Sequence, residues 1–486
     1  MGLAGCSAVQ PLRAAPPARE SAATRRRAAR PLPATGAERL LYNVRVDESL
    51  RQIEVEICPT GFRIERLESP SPGAQELLRG GHIITPEGDY ACASDGVELP
   101  RLQTGECLRY GVNLPDKTPD PTGLRRVDRD LLASPDLWLW VPLPRPLHVP
   151  MRVHFTLPNG VFPAFPWPRV GEDFTLSETA FSWKTGGAFT HSAASALVLP
   201  GGELSFFALG GGFEHADDVR AWLDQGARAA SQLFGRFPLP RALVLGVPGE
   251  RGRTPFGMAL RGGGPAVVIF LDRTADAHSL ASDWTCTHEF LHLGVPRLPP
   301  EDAWLFEGLA TYYTELVRAR AGVITAREAY QHLLDGFERG KKHAWARTLR
   351  QASAEMRETR AFYRVYWSGA ALAFMTDVAA RRAGGATLDD ALRSFAECCA
   401  ASEREWTAEQ VLAALDTTLG APRFAPLAHA WLDRAAFPNV TPLLRELGVS
   451  PGAGKEANFA PAPSAALRDA LMAPAPLQPA ANRDPH

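Results

Sequence analysis

The sequence predicts an α+β protein of several domains, with a β-rich N-terminal part, a mixed α/β middle part and a helical C-terminal part. At 486 residues the chain is too long for one simple core. Short runs rich in β-branched and aromatic residues, bounded by turn residues, dominate positions 40–209. Apolar residues recur at helical spacing at 217–233 and almost throughout after Asp302, which places most helices in the second half.

The strand and helix predictions follow the chain in order. Residues 40–46 and 52–57 flank the turn-like segment 47–49 and predict a β-hairpin. Further strands are predicted at 137–141, 151–157, 196–199, 204–209 and 242–247. Helices are predicted at 217–233, 330–337, 362–383, 388–399, 408–415 and 427–432.

Both ends of the chain are poor in large apolar residues. Ala, Pro and Arg dominate 1–38 and prolines recur after Pro451, so neither segment is expected to bury a core. Leu3-Ala4-Gly5-Cys6 resembles a bacterial lipobox, but the basic and apolar regions that precede a lipobox are missing. A lipidated Cys6 would tether the protein to a membrane and place it in the cell envelope or the periplasm. A chance match, an organellar transit peptide and a cytoplasmic location are the alternatives.

Charge, apolar runs and cysteines exclude several classes of protein. With Lys+Arg 52 and Asp+Glu 54 the net charge is −2, so no global field draws the chain to nucleic acid. No apolar run approaches the roughly 18 residues of a membrane span. The seven cysteines form no C-x-x-C pair, and the neighbours Cys398 and Cys399 are expected to be free thiols. The sequence also lacks a Gly-Lys-Ser/Thr phosphate loop and a G-x-S-x-G elbow.

His288-Glu289-Phe290-Leu291-His292 is an H-E-x-x-H motif. On a helix, residues four apart stand on the same face, so both imidazoles can bind one zinc ion. Glu289 lies about 100° around the helix from His288, which suits a general base acting on water rather than a metal ligand. The motif alone is a weak signal, and a pair of core histidines is the alternative interpretation.

A third ligand is predicted from the segment that follows. Pro299 and Pro300 break the preceding helix, and Asp302 is a candidate N-cap. A new helix then begins in the segment WLFEG at 304–308. Glu307 is the natural third ligand, because a zinc site needs at least three protein ligands. The alternative for Glu307 is a first-turn glutamate that is stabilised by the helix dipole.

Together, the segments HEFLH at 288–292 and WLFEGLATYY at 304–313 resemble the gluzincin metallopeptidases. The resemblance is strongest to the glycyl aminopeptidase family, whose helices carry HEFxH and W-x-x-E-G-x-x-x-Y-Y. It is more distant to the aminopeptidase N and leukotriene hydrolase family. Agreement is clear over 284–320 and fainter over 212–385. The resemblance implies a thermolysin-like zinc catalytic domain behind an N-terminal β-rich domain, with a helical domain after it.

With this resemblance the chain divides into five predicted segments. These are a disordered leader or lipoprotein tether at 1–38, a β-rich domain at 39–211, a thermolysin-like catalytic domain at 212–345, a helical domain at 346–450 and a disordered tail at 451–486.

The same resemblance directs attention to the segment YWSGA at 366–370. In these families a Tyr three residues before Gly-Ala stabilises the tetrahedral oxyanion, and Tyr366 occupies that place. A phenol with a pKa of about 10 is a neutral donor at neutral pH, as this role requires. A core tyrosine is the alternative interpretation, and Tyr363 is the nearest rival for the role.

Two features depart from these families. Fourteen residues separate His292 from Glu307, fewer than in either family, so the loop at 294–301 is predicted to be short. The Gly-rich segment 257–264 holds no acid, whereas the aminopeptidases carry there a Glu that binds the free amine of the substrate. The run 266–271 resembles the strand on which such enzymes bind the substrate backbone, with an ordinary sheet strand as the alternative.

The resulting hypothesis is a zinc-dependent peptidase with a peptide or protein substrate, and aminopeptidase activity is left open. His288, His292 and Glu307 would hold one Zn²⁺. Glu289 would be the general base, and Tyr366 would stabilise the oxyanion. An inactive peptide-binding fold and a non-peptide zinc hydrolase are the rival functions.

Overall fold

A computed structural model describes residues 38–69, 71, 73–91, 96–98, 106–120, 122–143, 149–343 and 347–474 of the chain. These residues form a β-rich N-terminal part, a mixed α/β middle part and a helical C-terminal part, which confirms the predicted fold class. The predicted leader at 1–38, including Cys6, lies outside the described residues except for Glu38. None of the described helices combines the length and the apolar character that crossing a membrane requires.

The N-terminal part is built mainly from short strands. In chain order they are β1 (Arg39–Val46), β2 (Gln52–Thr60), β3 (Arg66–Glu68), β4 (His82–Thr85), β5 (Gly88–Ala91), β6 (Gly96–Glu98), β7 (Leu108–Asn113), β8 (Leu124–Val127), β9 (Asp130–Ala133), β10 (Val141–Leu143), β11 (Met151–Thr156), β12 (Phe162–Ala164), β13 (Arg169–Val170), β14 (Asp173–Leu176) and β15 (Ala188–Thr190), with helix α1 (Thr179–Ser182) before β15. They form three sheets, in the orders β13-β14-β11-β1-β2-β7-β4-β5, β12-β15-β9-β8 and β10-β3-β6.

The predicted hairpin is confirmed, because β1 and β2 pair antiparallel. Alternate residues of both strands are buried, as expected for a sheet with one face on the core. The predicted strand at 137–141 is wrong in its bounds. The segment forms a 3-10 helix at Pro135–Leu137 before β10, and Trp138 and Trp140 are both fully buried. In an uninterrupted run of apolar residues, periodicity alone cannot distinguish a buried strand from a buried helical segment.

The middle part places a mixed sheet against helices. Its elements are β16 (Ser195–Leu199), β17 (Gly202–Ala208), α2 (Ala216–Phe234), β18 (Arg241–Gly249), β19 (Phe256–Leu260), β20 (Ala266–Asp272), α3 (Ala277–Leu280) and α4 (Thr285–His292). The sheet order is β16-β17-β18-β20-β19, and β19 runs antiparallel to β20. The run 266–271 is β20, which has a partner strand on each side. Its edges are therefore occupied, and the prediction that it binds a substrate backbone is wrong. The edge strands of this sheet are β19 and β16.

The C-terminal part is almost entirely helical. It contains α5 (Ala303–Arg320), α6 (Ala326–Lys342), α7 (Leu349–Ala354), α8 (Met356–Thr359), α9 (Phe362–Ala383), α10 (Leu388–Cys399), α11 (Ala408–Thr418), α12 (Phe424–Leu432), α13 (Thr441–Glu446), β21 (Val449–Ser450), β22 (Asn458–Phe459) and α14 (Ala465–Met472). Its buried side chains form one continuous core with those of α2, α4 and the mixed sheet, whereas the N-terminal sheets enclose a core of their own.

The structure corrects the prediction that 451–486 is a disordered tail. Helix α14 lies in this segment, and its Leu471 is buried. Arg320 donates to the carbonyl oxygen of Leu471 at 2.8 Å, and the Tyr330 hydroxyl donates to that of Arg468 at 3.0 Å. A few buried contacts therefore order residues 451–474 despite their high proline content.

The prediction that Cys398 and Cys399 are free thiols is also wrong. Cys58 and Cys107 form a disulfide, as do Cys398 and Cys399, while Cys286 is free and buried. The antiparallel pairing of β2 with β7 brings Cys58 beside Cys107 although 49 positions separate them in the sequence. Spacing along the chain does not reveal such a cross-strand pair.

Candidate metal centre

The H-E-x-x-H segment forms α4, and every residue of this helix is buried. The helix begins after Asp283, whose carboxylate accepts the backbone N–H of Thr285 at 2.8 Å. Arg318 of α5 donates to the carbonyl oxygen of Ser282 at 2.8 Å and so fixes the loop that leads into α4. The N-terminal end of α4 is therefore held by side chains from its own loop and from α5.

Arg261 holds the other end of α4. Its Nη2 donates to the carbonyl oxygens of His292, Leu293 and Val295 at 3.0, 2.9 and 2.6 Å. Its Nη1 donates to the carbonyl oxygen of Ala400, just beyond α10, at 3.1 Å. One guanidinium thus satisfies carbonyl groups that a helix C-terminus leaves without partners and joins α4 to the helical part.

Three side chains from α4 and α5 converge on one point. His288 Nε2 lies 3.2 Å from His292 Nε2 and 3.3 Å from Glu307 Oε2, and His292 Nε2 lies 3.4 Å from the same oxygen. Both histidines are only 4% exposed. The structure therefore brings the three predicted ligands together despite the short loop between α4 and α5.

These three residues fit a zinc ion. Tetrahedral zinc with bonds of about 2.0–2.1 Å separates its ligand atoms by about 3.3–3.4 Å, close to the separations seen here. Two ring nitrogens and a carboxylate oxygen are also a donor set that zinc accepts. Burial alone would raise the pKa of the Glu307 carboxyl, but His292 and His288 lower this pKa far below its usual range. The Glu307 carboxylate is therefore ionised, as binding a cation requires.

The side chain of Glu289, on α4, contacts the edge strand β19. A Cβ atom on Gly257 would overlap the Glu289 side chain, so only glycine allows the strand to approach this closely. The backbone N–H of Ala259 donates to the Glu289 carboxylate. Burial raises the pKa of Glu289 to about 7, and the nearby Glu307 carboxylate adds to this effect. Near neutral pH the Glu289 carboxyl can therefore both take up and release a proton.

Tyr366 lies beside His288. Its ring is nearly parallel to the His288 ring, with the centroids 6.1 Å apart, and its hydroxyl bonds to the Glu307 carboxylate. Burial, together with the Glu307 and Glu289 carboxylates, raises the pKa of this phenol well above its usual value. Tyr366 is therefore a neutral hydrogen-bond donor at neutral pH. Tyr363, its predicted rival, is 53% exposed and packs against His343 instead.

A close helix contact brings Tyr366 and Glu307 together. Gly308 of α5 faces Gly369 of α9, and a Cβ atom on either residue would overlap backbone atoms of the other helix. Small residues on both sides let the two helix backbones approach each other closely. The residue next to Gly308 is Glu307, and Tyr366 stands almost one turn before Gly369, so this contact fixes the backbone that carries both side chains.

Asp302 has a role that its sequence position did not predict. It stands at the N-cap position of α5, but its side chain makes no capping bond there. Its carboxylate instead accepts the backbone N–H of Ala408, the first residue of α11, at 2.6 Å. The acid therefore joins the start of α5 to α11.

Within the described residues, one other group brings three metal-ligating atoms together, namely Glu56, Cys58 and Cys107. Its two sulfur atoms are bonded to each other as a disulfide, and Arg109 and Asn43 already donate to Glu56. This group is therefore not a second metal centre.

Comparison with solved structures identifies the fold. An aminopeptidase N family protein from Idiomarina loihiensis matches with a TM-score of 0.68, covering 84% of this chain and 78% of that chain at 14% identity. An M1 zinc metallopeptidase from Deinococcus radiodurans, bound to a Tyr-Ser-Ala substrate, matches with a TM-score of 0.51, covering 83% and 95% at 17% identity. A two-domain M1 zinc metallopeptidase bound to L-arginine matches equally well, covering 83% and 94% at 16% identity.

No protein-family model and no curated protein matches the sequence. The structural similarity shows that the chain has the multidomain fold of the aminopeptidase N and M1 zinc metallopeptidase structures. The predicted likeness to the aminopeptidase N group is therefore confirmed in the fold. The stronger likeness to the glycyl aminopeptidase family stays a prediction.

Proposed function

We propose that this chain is a zinc-dependent peptidase in which His288, His292 and Glu307 hold one Zn²⁺. The observation that carries the proposal is the convergence of their three ligand atoms, each 3.2–3.4 Å from the others. The choice of zinc and of a peptide substrate is supported by an M1 zinc metallopeptidase of the same fold, which was crystallised with a Tyr-Ser-Ala substrate.

Glu289 is the proposed general base. When bound, zinc supplies Lewis acidity and positive charge at the ligand trio. Glu289 accepts the proton of the attacking water and passes it to the leaving amine. Its raised pKa of about 7 suits both transfers, because such a carboxyl both takes up and releases a proton near neutral pH. The N–H of Ala259 keeps the carboxylate oriented between these steps.

Tyr366 is the proposed donor to the oxyanion. Its hydroxyl already lies beside the ligand carboxylate of Glu307, and its raised pKa keeps the proton on the phenol. A neutral donor aimed at developing negative charge stabilises a tetrahedral intermediate.

The edge strand β19 supports a peptide as the substrate. Its one partner strand among the described residues is β20, and Gly257 and Ala259 place it directly against Glu289. A strand edge offers backbone donors and acceptors to an extended peptide, which would then lie beside the proposed base.

Cleavage at a free N-terminus is the finer part of the proposal. An M1 neighbour bound to L-arginine favours it. The segment 257–264, however, offers no carboxylate to a substrate amine, and Arg261 is occupied by backbone carbonyls. Matched peptides with free and acetylated N-termini determine the polarity. Cleavage of the free peptides alone indicates an aminopeptidase, and cleavage of both indicates an endopeptidase.

The decisive experiment compares wild-type protein with Glu289→Gln on a mixed peptide library, with and without a chelator, with products identified by mass spectrometry. Glu301→Gln, an exposed acid in the turn before α5, is the matched control. We expect fragments from wild type and Glu301→Gln only when metal is present. Glu289→Gln is expected to retain zinc and to yield none, because it lacks the base.

Two results would contradict the proposal. Hydrolysis by zinc-loaded Glu289→Gln would exclude the assigned base. A folded, zinc-loaded wild type that cuts no peptide would favour the inactive peptide-binding fold or the non-peptide hydrolase.

A further inference from the structure

Thr314 lies behind the first of the three proposed ligands. It is 2% exposed on α5, and its Oγ1 stands 3.3 Å from His288 Nδ1, the ring nitrogen that points away from the ligand trio. Thr314 follows Glu307 by seven positions, two helical turns, so both side chains lie on the face of α5 that meets α4. One face of α5 therefore contacts both nitrogens of the His288 ring.

The hydrogen bond from Thr314 to the backbone determines which atom donates in its contact with His288. A threonine hydroxyl has one proton, and that of Thr314 goes to the carbonyl oxygen of Ala310 at 2.7 Å. Towards His288 the hydroxyl oxygen can then only accept, so the hydrogen must come from Nδ1. A neutral imidazole with its proton on Nδ1 has a free lone pair on Nε2, the atom 3.3 Å from Glu307 Oε2.

We propose that Thr314 is a positioning residue, which holds His288 in the Nδ1–H tautomer and leaves Nε2 free to bind the metal. The proposal rests on the metal site of the proposed function but not on peptide hydrolysis. A partner that accepts the outer N–H of a ligating histidine fixes the tautomer and the ring orientation. Here that partner is a neutral hydroxyl, itself fixed by the backbone of α5.

Two neighbouring sites provide natural comparisons. His292 Nδ1 makes no hydrogen bond to any residue that the structure describes. Thr311, on the same helix as Thr314 and also buried, has a hydroxyl oxygen without a partner among those residues. Thr311→Val therefore makes the same substitution in the same helix without removing a hydrogen bond to a proposed ligand.

The test measures zinc affinity by competition with a chromophoric chelator for wild type, Thr314→Val, Thr314→Ser and Thr311→Val, each as the full chain. We expect Thr314→Val to lose about 10–100-fold in affinity, which is the usual effect of removing such a partner. Thr314→Ser keeps the hydroxyl and is expected to restore wild-type affinity. Thr311→Val is expected to bind zinc as wild type does. Equal affinities for Thr314→Val and Thr311→Val would overturn the proposal.

The failure of this proposal is separable from that of the proposed function. A chain that binds zinc but cuts no peptide contradicts the peptidase, while the affinities of the four proteins still decide the role of Thr314. A chain that binds no zinc contradicts both the metal site and the role of Thr314.

Discussion

His288 and His292 stand one turn apart on α4 and are buried to the same extent, yet different contacts hold them. His288 Nδ1 lies 3.3 Å from the Thr314 hydroxyl oxygen, to which we propose that it donates, and the Tyr366 ring is nearly parallel to the His288 ring. Its orientation is therefore set by a directional hydrogen bond.

His292 lacks such a bond within the described residues, since its Nδ1 has no partner there. Its ring instead stacks on Phe306, with the centroids 4.1 Å apart and the planes 14° from parallel. Its backbone carbonyl accepts from Arg261. His292 is thus held by packing and by the main chain at the end of α4. Substitutions around the site should therefore have different effects on the two ligands.

The largest effect is expected for Arg261→Met, on the His292 side. Four carbonyl groups lose a charged donor, and each such bond contributes about 1.5–3 kcal/mol. Because the four bonds share one guanidinium they are not additive, and the free energy of unfolding should fall by about 2–4 kcal/mol. Denaturant unfolding of the metal-free chain measures this change. The matched control is Arg297→Met, which removes an exposed pair with Glu405 and should cost below about 1 kcal/mol. Equal losses for the two variants would show that Arg261 does not hold the end of α4.

A smaller effect is expected for Gly369→Ala, on the Tyr366 side of His288. The added methyl group would overlap the Trp304 carbonyl oxygen, and overpacking of this kind costs about 1–3 kcal/mol. Peptide hydrolysis should fall further than stability, because α9 carries Tyr366 away from Glu307. Gly385→Ala, where the methyl group meets no atom within 4 Å, is the control and should change neither quantity. Full activity in a destabilised Gly369→Ala would contradict the assigned role of Tyr366.

The smallest effects, on zinc affinity, are expected from substitutions beside the rings of His292 and His288. Phe306→Leu removes the stacking on His292, a contact of about 0.5–1.5 kcal/mol, and should weaken zinc binding severalfold. Trp284→Leu removes an edge contact with His288 at 5.3 Å between centroids and should weaken it less, because Thr314 already orients that ring. Chelator competition measures both. A larger loss of zinc affinity in Trp284→Leu than in Phe306→Leu would contradict the view that ring packing matters more for His292 than for His288.

Long periodic elements could be predicted from the sequence, and irregular ones could not. Helices α9 and α10 have the bounds that the sequence predicts. Helix α10 turns one apolar face to the core, and α9 is a long apolar helix that is buried on nearly all sides. The region around Trp138 and the C-terminal α14 were missed. In the first, every residue from 137 to 141 is buried and no period exists, and in the second the contacts come from distant residues such as Arg320.

The same distinction holds at the candidate site. His288, Glu289 and His292 are set by spacing within one helix, and a short motif indicated Glu307. Arg261 could not be found in this way, because its partners lie more than 30 positions away. Thr314 left a usable signal that was missed, since it lies two turns after Glu307 on the same face of α5.

The central claim is that two differently held histidines and one glutamate form a single zinc site. Anomalous diffraction at the zinc absorption edge, from crystals of the full chain grown with zinc, tests it most directly. The account predicts one peak per chain, about 2.0–2.1 Å from His288 Nε2, His292 Nε2 and a Glu307 oxygen. A map without a peak between these three residues, or with the peak at another group, would contradict it.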